Sequence, residues 1–195
     1  MIVKSVDFRK NSSSYLDIFK TGLFIYPTDT IYGLGCDARS FELIENLRLL
    51  KRRDSKPFSI IAPSKSWVYE NFEVSDFEKP FVESFGGLAL IDSEEKPFTL
   101  LLKPKHNFLP ENLAPGFDKI GVRIPSNWFS DVVSDLGFPI VTTSVNFSGE
   151  SNMLGLDSLN PEIRSMVDLV IDDGVLDNSS SKILTFDSDT LIILR

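Results

Sequence analysis

YPTDTIYGLGCDARSFELIENLRLLKRRDSKPFSIIA, residues 26–62, decides how this chain is read. An apolar run, LFIY at residues 23–26, leads into a turn rich in Thr and Gly. A helix follows. Ser40 is placed as its N-cap, and Leu43, Ile44, Leu47 and Leu50 recur at the spacing of one buried face. Residues 58–62 form a second apolar strand. Strand, small-residue turn, helix, basic turn and strand describe a crossover unit whose loops can hold an anion. Arg48, Lys51, Arg52, Arg53 and Lys56 put five cations within nine residues of a chain whose net charge is −8. That local reversal of sign suggests an anionic ligand. The helix dipole, which favours cations at the C-terminal end, accounts for the same residues without one.

The bounds are those of one domain: 195 residues, 42% apolar and 25% charged, with room for a sizeable core. The acidic total argues against broad binding to nucleic acid or membrane. No apolar run reaches the length of a membrane span, and the N-terminus has no hydrophobic signal core, so the expected location is the cytoplasm. The one cysteine, Cys36, excludes an internal disulfide and reads as a small buried filler.

Outward from the central stretch, residues 2–6 read as a short edge strand, and residues 15–20 as a helix ended by Gly22. Residues 64–71 and 75–84 read as helices, the second broken by Pro80 or starting there. Strands are expected at 88–91, 98–102, 120–124, 138–143 and 169–171. Ser126 is a candidate cap for a helix running to Leu136, with Gly137 as its stop. Residues 103–117, rich in Pro and polar side chains, make a long loop that could close over a site. The tail reads as a hairpin. Alternation of strands and helices, giving way to strands, implies an α/β (α+β) fold: a single domain, residues 1–195, with a large twisted mixed sheet flanked by helices.

The chemistry is constrained by what is missing. The single histidine, His106, lies in the Pro-rich loop, which disfavours a histidine triad or a histidine-rich metal site. There is no GxxxxGK[ST] or GxGxxG, and Gly33-Leu34-Gly35 alone is a weak signal. What remains is a set of donors at strand ends: Thr28, Thr30, Lys51, Arg53, Lys56, Thr99, Arg123, Ser144, Asn146 and Arg195. Such a set suits phosphate chemistry, which depends on positioning and on neutralising charge. Singly, each has an ordinary structural explanation, as a turn former or as a partner for backbone groups.

Taken together, the motifs resemble the YrdC family. The matching pieces are YPTDTIYGLG, K-x-R at Lys51 and Arg53, P-x-T at Pro97 and Thr99, VRIP at residues 122–125, S-x-N-x-S-G at residues 144–149, and the terminal ILR. The resemblance implies a threonylcarbamoyl-AMP synthase in a short form without the extra C-terminal domain. Its substrates would be ATP with Mg²⁺, L-threonine and bicarbonate, and its product would feed threonylcarbamoyl modification of a tRNA adenosine. Carried over by position, Thr30, Arg123 and Ser181 would contact threonine. Lys51, Arg53, Lys56, Thr99, Thr142, Ser144, Asn146, Asn152 and Arg195 would surround the nucleotide, with Lys51 and Arg53 also catalytic. No protein side chain is expected to ligate a metal. Partner enzymes would take up the adenylate, direct tRNA binding would be weak or absent, and no membrane is involved. The alternatives are a family member with a different substrate and a non-catalytic nucleotide- or RNA-binding module.

Overall fold

The computed structural model describes residues 1–53 and 55–194; Asp54 and Arg195 lie outside the described residues. The strands in chain order are β1 (Ile2–Lys4), β2 (Phe24–Tyr26), β3 (Gly33–Gly35), β4 (Ser59–Ile61), β5 (Phe72–Glu73), β6 (Ala89–Ile91) and β7 (Glu94–Lys96). They continue with β8 (Phe98–Pro104), β9 (Ile120–Arg123), β10 (Ile140–Ser144), β11 (Leu169–Asp172), β12 (Lys182–Asp187) and β13 (Thr190–Ile193). The α-helices are α1 (Ser5–Lys10), α2 (Leu16–Thr21), α3 (Phe41–Lys51), α4 (Lys65–Asn71), α5 (Lys79–Glu83), α6 (Phe129–Leu136) and α7 (Pro161–Met166). One large sheet runs β1-β11-β2-β3-β10-β4-β9-β8-β12-β13, with β5 beside β8, while β6 and β7 form a separate hairpin. Parallel pairs (β1 with β11, β11 with β2, β4 with β9, β8 with β12) occur together with antiparallel ones, so the sheet is mixed as expected.

The crossover starts one strand later than the sequence implies. β2 folds back on β3 as an antiparallel pair, with Tyr26 opposite Gly33. Helix α3 then carries the chain from β3 past β10 to β4, and β10 runs antiparallel to both. Gly33-Leu34-Gly35 is therefore a strand and not an anion-holding turn. A Cβ on Gly33 would stand 2.6 Å from the Tyr26 ring, and one on Gly35 2.1 Å from the Val141 carbonyl oxygen. These glycines are required by close packing.

Strand alternation separates two cores. Phe24, Tyr26, Ile61, Ile140, Leu169 and Ile171 pack on one face with Phe8, Phe19, Phe129 and Val133 from the flanking helices. Their neighbours Ile25, Ile60, Val141 and Val170 pack on the other face with Leu43, Ile44, Leu47 and Leu50 of α3. Strands buried on both sides read as continuous apolar runs, which is why they were visible in the sequence.

Local signals held where the chain's own chemistry decided. The Ser40 hydroxyl accepts from the Leu43 N–H at 3.2 Å and caps α3. Gly137 ends α6 in the left-handed region at φ 71°. Other boundaries moved. The expected strand over residues 2–6 stops at Lys4, and Ser5 begins α1, which buries Phe8. Within residues 75–84 the α-helix covers Lys79–Glu83, with Pro80 in its first turn, where a missing N–H costs nothing. Ser126 does not cap α6, because the helix starts only at Phe129 with Trp128 in the cap position; the Ser126 backbone N–H donates instead to Asp29 Oδ2 at 2.9 Å. The loop expected over 103–117 is shorter at its start, since β8 runs to Pro104. It then contains a 3₁₀ turn at Glu111–Leu113.

Candidate active site

The face that carries the aromatic core changes character along its strands. Ile61 and Ser59 share a face of β4, Ile140 and Thr142 a face of β10, and Arg123 and Gly121 a face of β9. Two residues along, apolar side chains give way to hydroxyls. Thr142, Ser59 and Gly121 are register neighbours across β10, β4 and β9. A Cβ on Gly121 would stand 2.3 Å from Ser59 Oγ and 3.1 Å from Thr99 Cγ2, so this polar row closes only around glycine. Above the row lies a cleft of about 420 Å³, within the usual range for a small-molecule site. It lies across the face of the central strands, whereas the sequence pattern pointed to a crevice beyond their ends.

The turn between β2 and β3 walls one end. Thr28 Oγ1 donates to the Ile31 carbonyl at 2.7 Å and lies 2.9 Å from Thr30 Oγ1, so both hydroxyls are fixed and buried. Arg123, at the end of β9, is 6% exposed. Its guanidinium bonds Asp29 Oδ1 through NH2 and lies 3.4 Å from Thr30 Oγ1 through NH1. Its Nε is buried without a partner. Ser181, just before β12, pairs with Thr99 on β8 at 3.0 Å. These predicted residues converge: Thr30, Arg123, Ser181 and Thr99 all line the cleft.

The opposite end is made by the turn after α3 and by the segment after β10. Arg53, Thr142, Ser144, Asn146 and Asn152 line it. The Ser144 hydroxyl donates to Asn146 Oδ1 at 2.7 Å, and the Asn146 amide donates to the Glu150 carbonyl at 2.6 Å. Arg53 donates to the Lys56 carbonyl at 3.2 Å and stacks over the Phe58 ring at 4.8 Å.

The five cations do not act as one cluster. Arg48 is buried and structural: Nε donates to the Asn112 carbonyl at 2.7 Å and NH2 to the Leu113 carbonyl at 3.2 Å. Arg52 reaches Glu162 at 2.7 Å and stacks on Phe147 at 4.0 Å. Lys56 is exposed and outside the cleft wall. Lys51 lies behind the wall, 1% exposed, donating to the Ser144 carbonyl and to Asn146 Oδ1, both at 2.6 Å, and to the Asn146 carbonyl. Burial, then the charge of Arg53, pushes the Lys51 pKa down to about 7. Its three protons have three protein acceptors, so it organises the segment that lines the cleft and is not a bare cation within it. Only Arg53, among the described basic residues of this turn, lines the cleft.

Arg195 lies outside the described residues. Cys36 is buried, and desolvation pushes its thiol pKa up, which fits a filler. Residues 103–118 line a separate cavity with Phe41 and do not line the cleft. Sequence reasoning missed Asp29, although the signal was present: it is the one charged residue in the stretch 26–36. It also missed Tyr32, Thr143 and Ser180, which line the cleft. Among the described residues no three His, Cys, Asp or Glu side chains cluster as metal ligands, and no helix is long and apolar enough to cross a membrane.

Known proteins are similar to this chain in sequence and in fold. A putative threonylcarbamoyl-AMP synthase of Methanocaldococcus jannaschii is 30% identical over 182 residues, covering 92% of this chain and 81% of the relative. The fold matches that of P. abyssi Sua5 complexed with L-threonine at a TM-score of 0.82 and 20% identity, over all of this chain and 57% of that one. It also matches full-length HypF in its phosphate- and nucleotide-bound form, at a TM-score of 0.78 and 22% identity, over 95% of this chain and 28% of that one. Residues 18–195 match the family model for Sua5, YciO and YrdC, described as telomere recombination, and the chain belongs to that family.

Proposed function

We propose that this protein is an L-threonylcarbamoyl-AMP synthase, joining L-threonine, bicarbonate and ATP with release of pyrophosphate. One observation carries the reading. A single cleft unites a buried guanidinium whose Nε has no partner with a second end built from Arg53, Ser144 and Asn146. The first suits an amino-acid carboxylate and the second a polyphosphate. The L-threonine of the Sua5 complex and the nucleotide of the HypF form are two ligands of that kind.

In this scheme the threonine carboxylate takes Arg123 Nε, with Thr30 and Ser181 beside it. The threonine ammonium releases a proton to solvent, and the free amine adds to the bicarbonate carbon with loss of water, giving a carbamate. A carbamate oxygen then attacks the α-phosphorus of ATP, the bond to the bridging oxygen breaks, and pyrophosphate leaves with that electron pair. Thr99, Thr142, Ser144, Asn146 and Asn152 orient the nucleotide, and Lys51 holds the Ser144–Asn146 segment in place. Arg53 offsets charge on the departing group, with Lys56 at the periphery. Mg²⁺ enters bound to ATP. The adenylate passes to partner enzymes of tRNA modification in the cytoplasm. Bare tRNA binds weakly, as the net charge of −8 favours, and is lost with modest salt.

Purified protein with Mg²⁺, ATP, bicarbonate and L-threonine is expected to form the adenylate and pyrophosphate, and to form neither without threonine. ATP binding indifferent to threonine, with no adenylate, would favour a family member with another substrate.

A further inference from the structure

The charge at the Arg123 end of the cleft is already matched before any ligand arrives. Arg123 and Asp29 form an ion pair whose side chains are 7% and 10% exposed. Asp29 is locked from several directions. Its Oδ1 accepts from Arg123 NH2, its Oδ2 accepts from the Ser126 N–H at 2.9 Å, and its own carbonyl accepts from Asn178 Nδ2 at 3.2 Å. The turn after β2 and the turn after β9 therefore meet on one carboxylate, and the segment before β12 is tied to the same residue through its backbone carbonyl. Arg123 itself lines this end of the cleft with Thr28, Thr30, Tyr32 and Ser181, while Asp29 pairs with Arg123 from behind that lining.

We propose that Asp29 is a specificity-determining residue that makes this end of the cleft selective for a ligand carrying both charges, a neutral α-amino acid in its zwitterionic form. The inference rests on the amino-acid reading of the cleft and extends it. A buried guanidinium on its own would attract any small carboxylate. Paired with Asp29, it forms a neutral site, and a ligand that brings only negative charge leaves that charge uncompensated beside Asp29. A zwitterion keeps the balance, its carboxylate on the guanidinium whose Nε has no partner and its ammonium within the field of Asp29. Asp29 also fixes the guanidinium plane by holding NH2, so that Nε keeps one direction. Arg123 is the residue that touches substrate, and Asp29 acts largely through it.

The test compares L-threonine with 2,3-dihydroxybutanoate, the same skeleton with a hydroxyl in place of the ammonium, by calorimetry on the full chain. Wild type is expected to prefer threonine by at least about tenfold, the scale of a misplaced like charge in a desolvated site. Asp29→Asn keeps the shape and removes the charge, and should shift that ratio by about tenfold toward the hydroxy acid. Thermal unfolding of the variant reports whether it folds, and the wild-type ratio stands by itself if it does not. Acetate is the third probe and needs no amino-acid site: it should bind Asp29→Asn measurably tighter than wild type. If neither form binds threonine but acetate binding still rises in the variant, the amino-acid reading fails while the charge-balancing role of Asp29 holds. Equal wild-type affinity for threonine and the hydroxy acid, or a ratio and an acetate affinity unmoved by Asp29→Asn, overturns the proposal.

Discussion

At one end of the cleft Arg123 is buried against a carboxylate, and at the other Lys51 is buried against carbonyl oxygens. Both arrangements satisfy the cation's hydrogen bonds, but they leave different fields. Asp29 cancels the charge of Arg123, so that end is electrically neutral. The dipoles around Lys51 solvate its ammonium without cancelling it, and Arg53 adds a second positive charge nearby. Burial first, and the charge of Arg53 second, depress the Lys51 pKa. One cleft thus presents a neutral donor site and a positive one, which is the division that an amino acid and a polyphosphate require.

The comparison breaks most sharply at Arg123. Arg123→Ala removes the unpartnered Nε and leaves the Asp29 carboxylate buried without its Arg123 partner. Unfolding stability should fall by about 3–5 kcal/mol, the usual result of halving a buried pair. Threonine-dependent adenylate formation should fall by about 30-fold or more. Arg123→Lys should not rescue it, because a point charge cannot hold Asp29 and offer a second donor in the same plane. Urea unfolding with kcat/KM against threonine checks both; near-wild-type activity in Arg123→Ala would remove the threonine site from this end.

At the positive end the larger effect belongs to Arg53. Arg53→Ala should weaken ATP by about 1.5–3 kcal/mol, the range for a hydrogen bond to a charged group, and leave threonine affinity nearly unchanged. Equal losses for both ligands would mean that the two ends are not separate.

Much of the fold was legible because the determining information was local or periodic. The α3 stripe, its Ser40 cap and the doubly buried strands each follow from side chains within one element. The GLG strand was not legible as a strand, because its glycines answer to Tyr26 and Val141, and Val141 is distant in sequence. The donors that converge were identifiable by type and motif, but their roles depend on which partner each meets. Arg48, Lys51, Arg52 and Arg53 look alike in the sequence. The fold gives them a loop carbonyl, a turn, a surface glutamate and the cleft respectively. Asp29 was overlooked because its meaning lies in Arg123, on another strand.

Lys51 sharpens the comparison through pH. Its folded pKa, about 7, lies below that of an unfolded lysine, so the unfolded chain holds this proton more tightly. Between pH 7 and the ordinary lysine range unfolding takes up a proton, and stability rises with pH by up to about 1.4 kcal/mol per unit. Lys51→Met lacks that proton, so the stability of wild type relative to the variant should climb from pH 6 to pH 9 in matched urea titrations. The amine left above pH 7 has two protons for three acceptors, so ATP affinity should decline modestly over the same range. A flat stability difference would show that the carbonyl acceptors keep Lys51 charged throughout.

The smallest expected effect is at Lys56, and it tests whether the basic turn is one patch or several separate cations. Its side chain is exposed, while its carbonyl, which no substitution removes, accepts from Arg48 and Arg53. Lys56→Ala should therefore change unfolding stability by less than about 0.5 kcal/mol, as surface changes usually do. Any contribution to ATP binding would act through solvent, so it should be small at physiological salt and grow as salt is lowered. Arg53, held against Phe58 and lining the cleft, should keep most of its effect at both salt concentrations. Calorimetric ATP titrations of the two variants at low and high salt separate the cases. A large, salt-independent loss in Lys56→Ala would mean that Lys56 swings in to touch the phosphates, and that the positive end is assembled by its ligand. The neutral end, held by Asp29, would then be built in advance to a greater degree than the positive end.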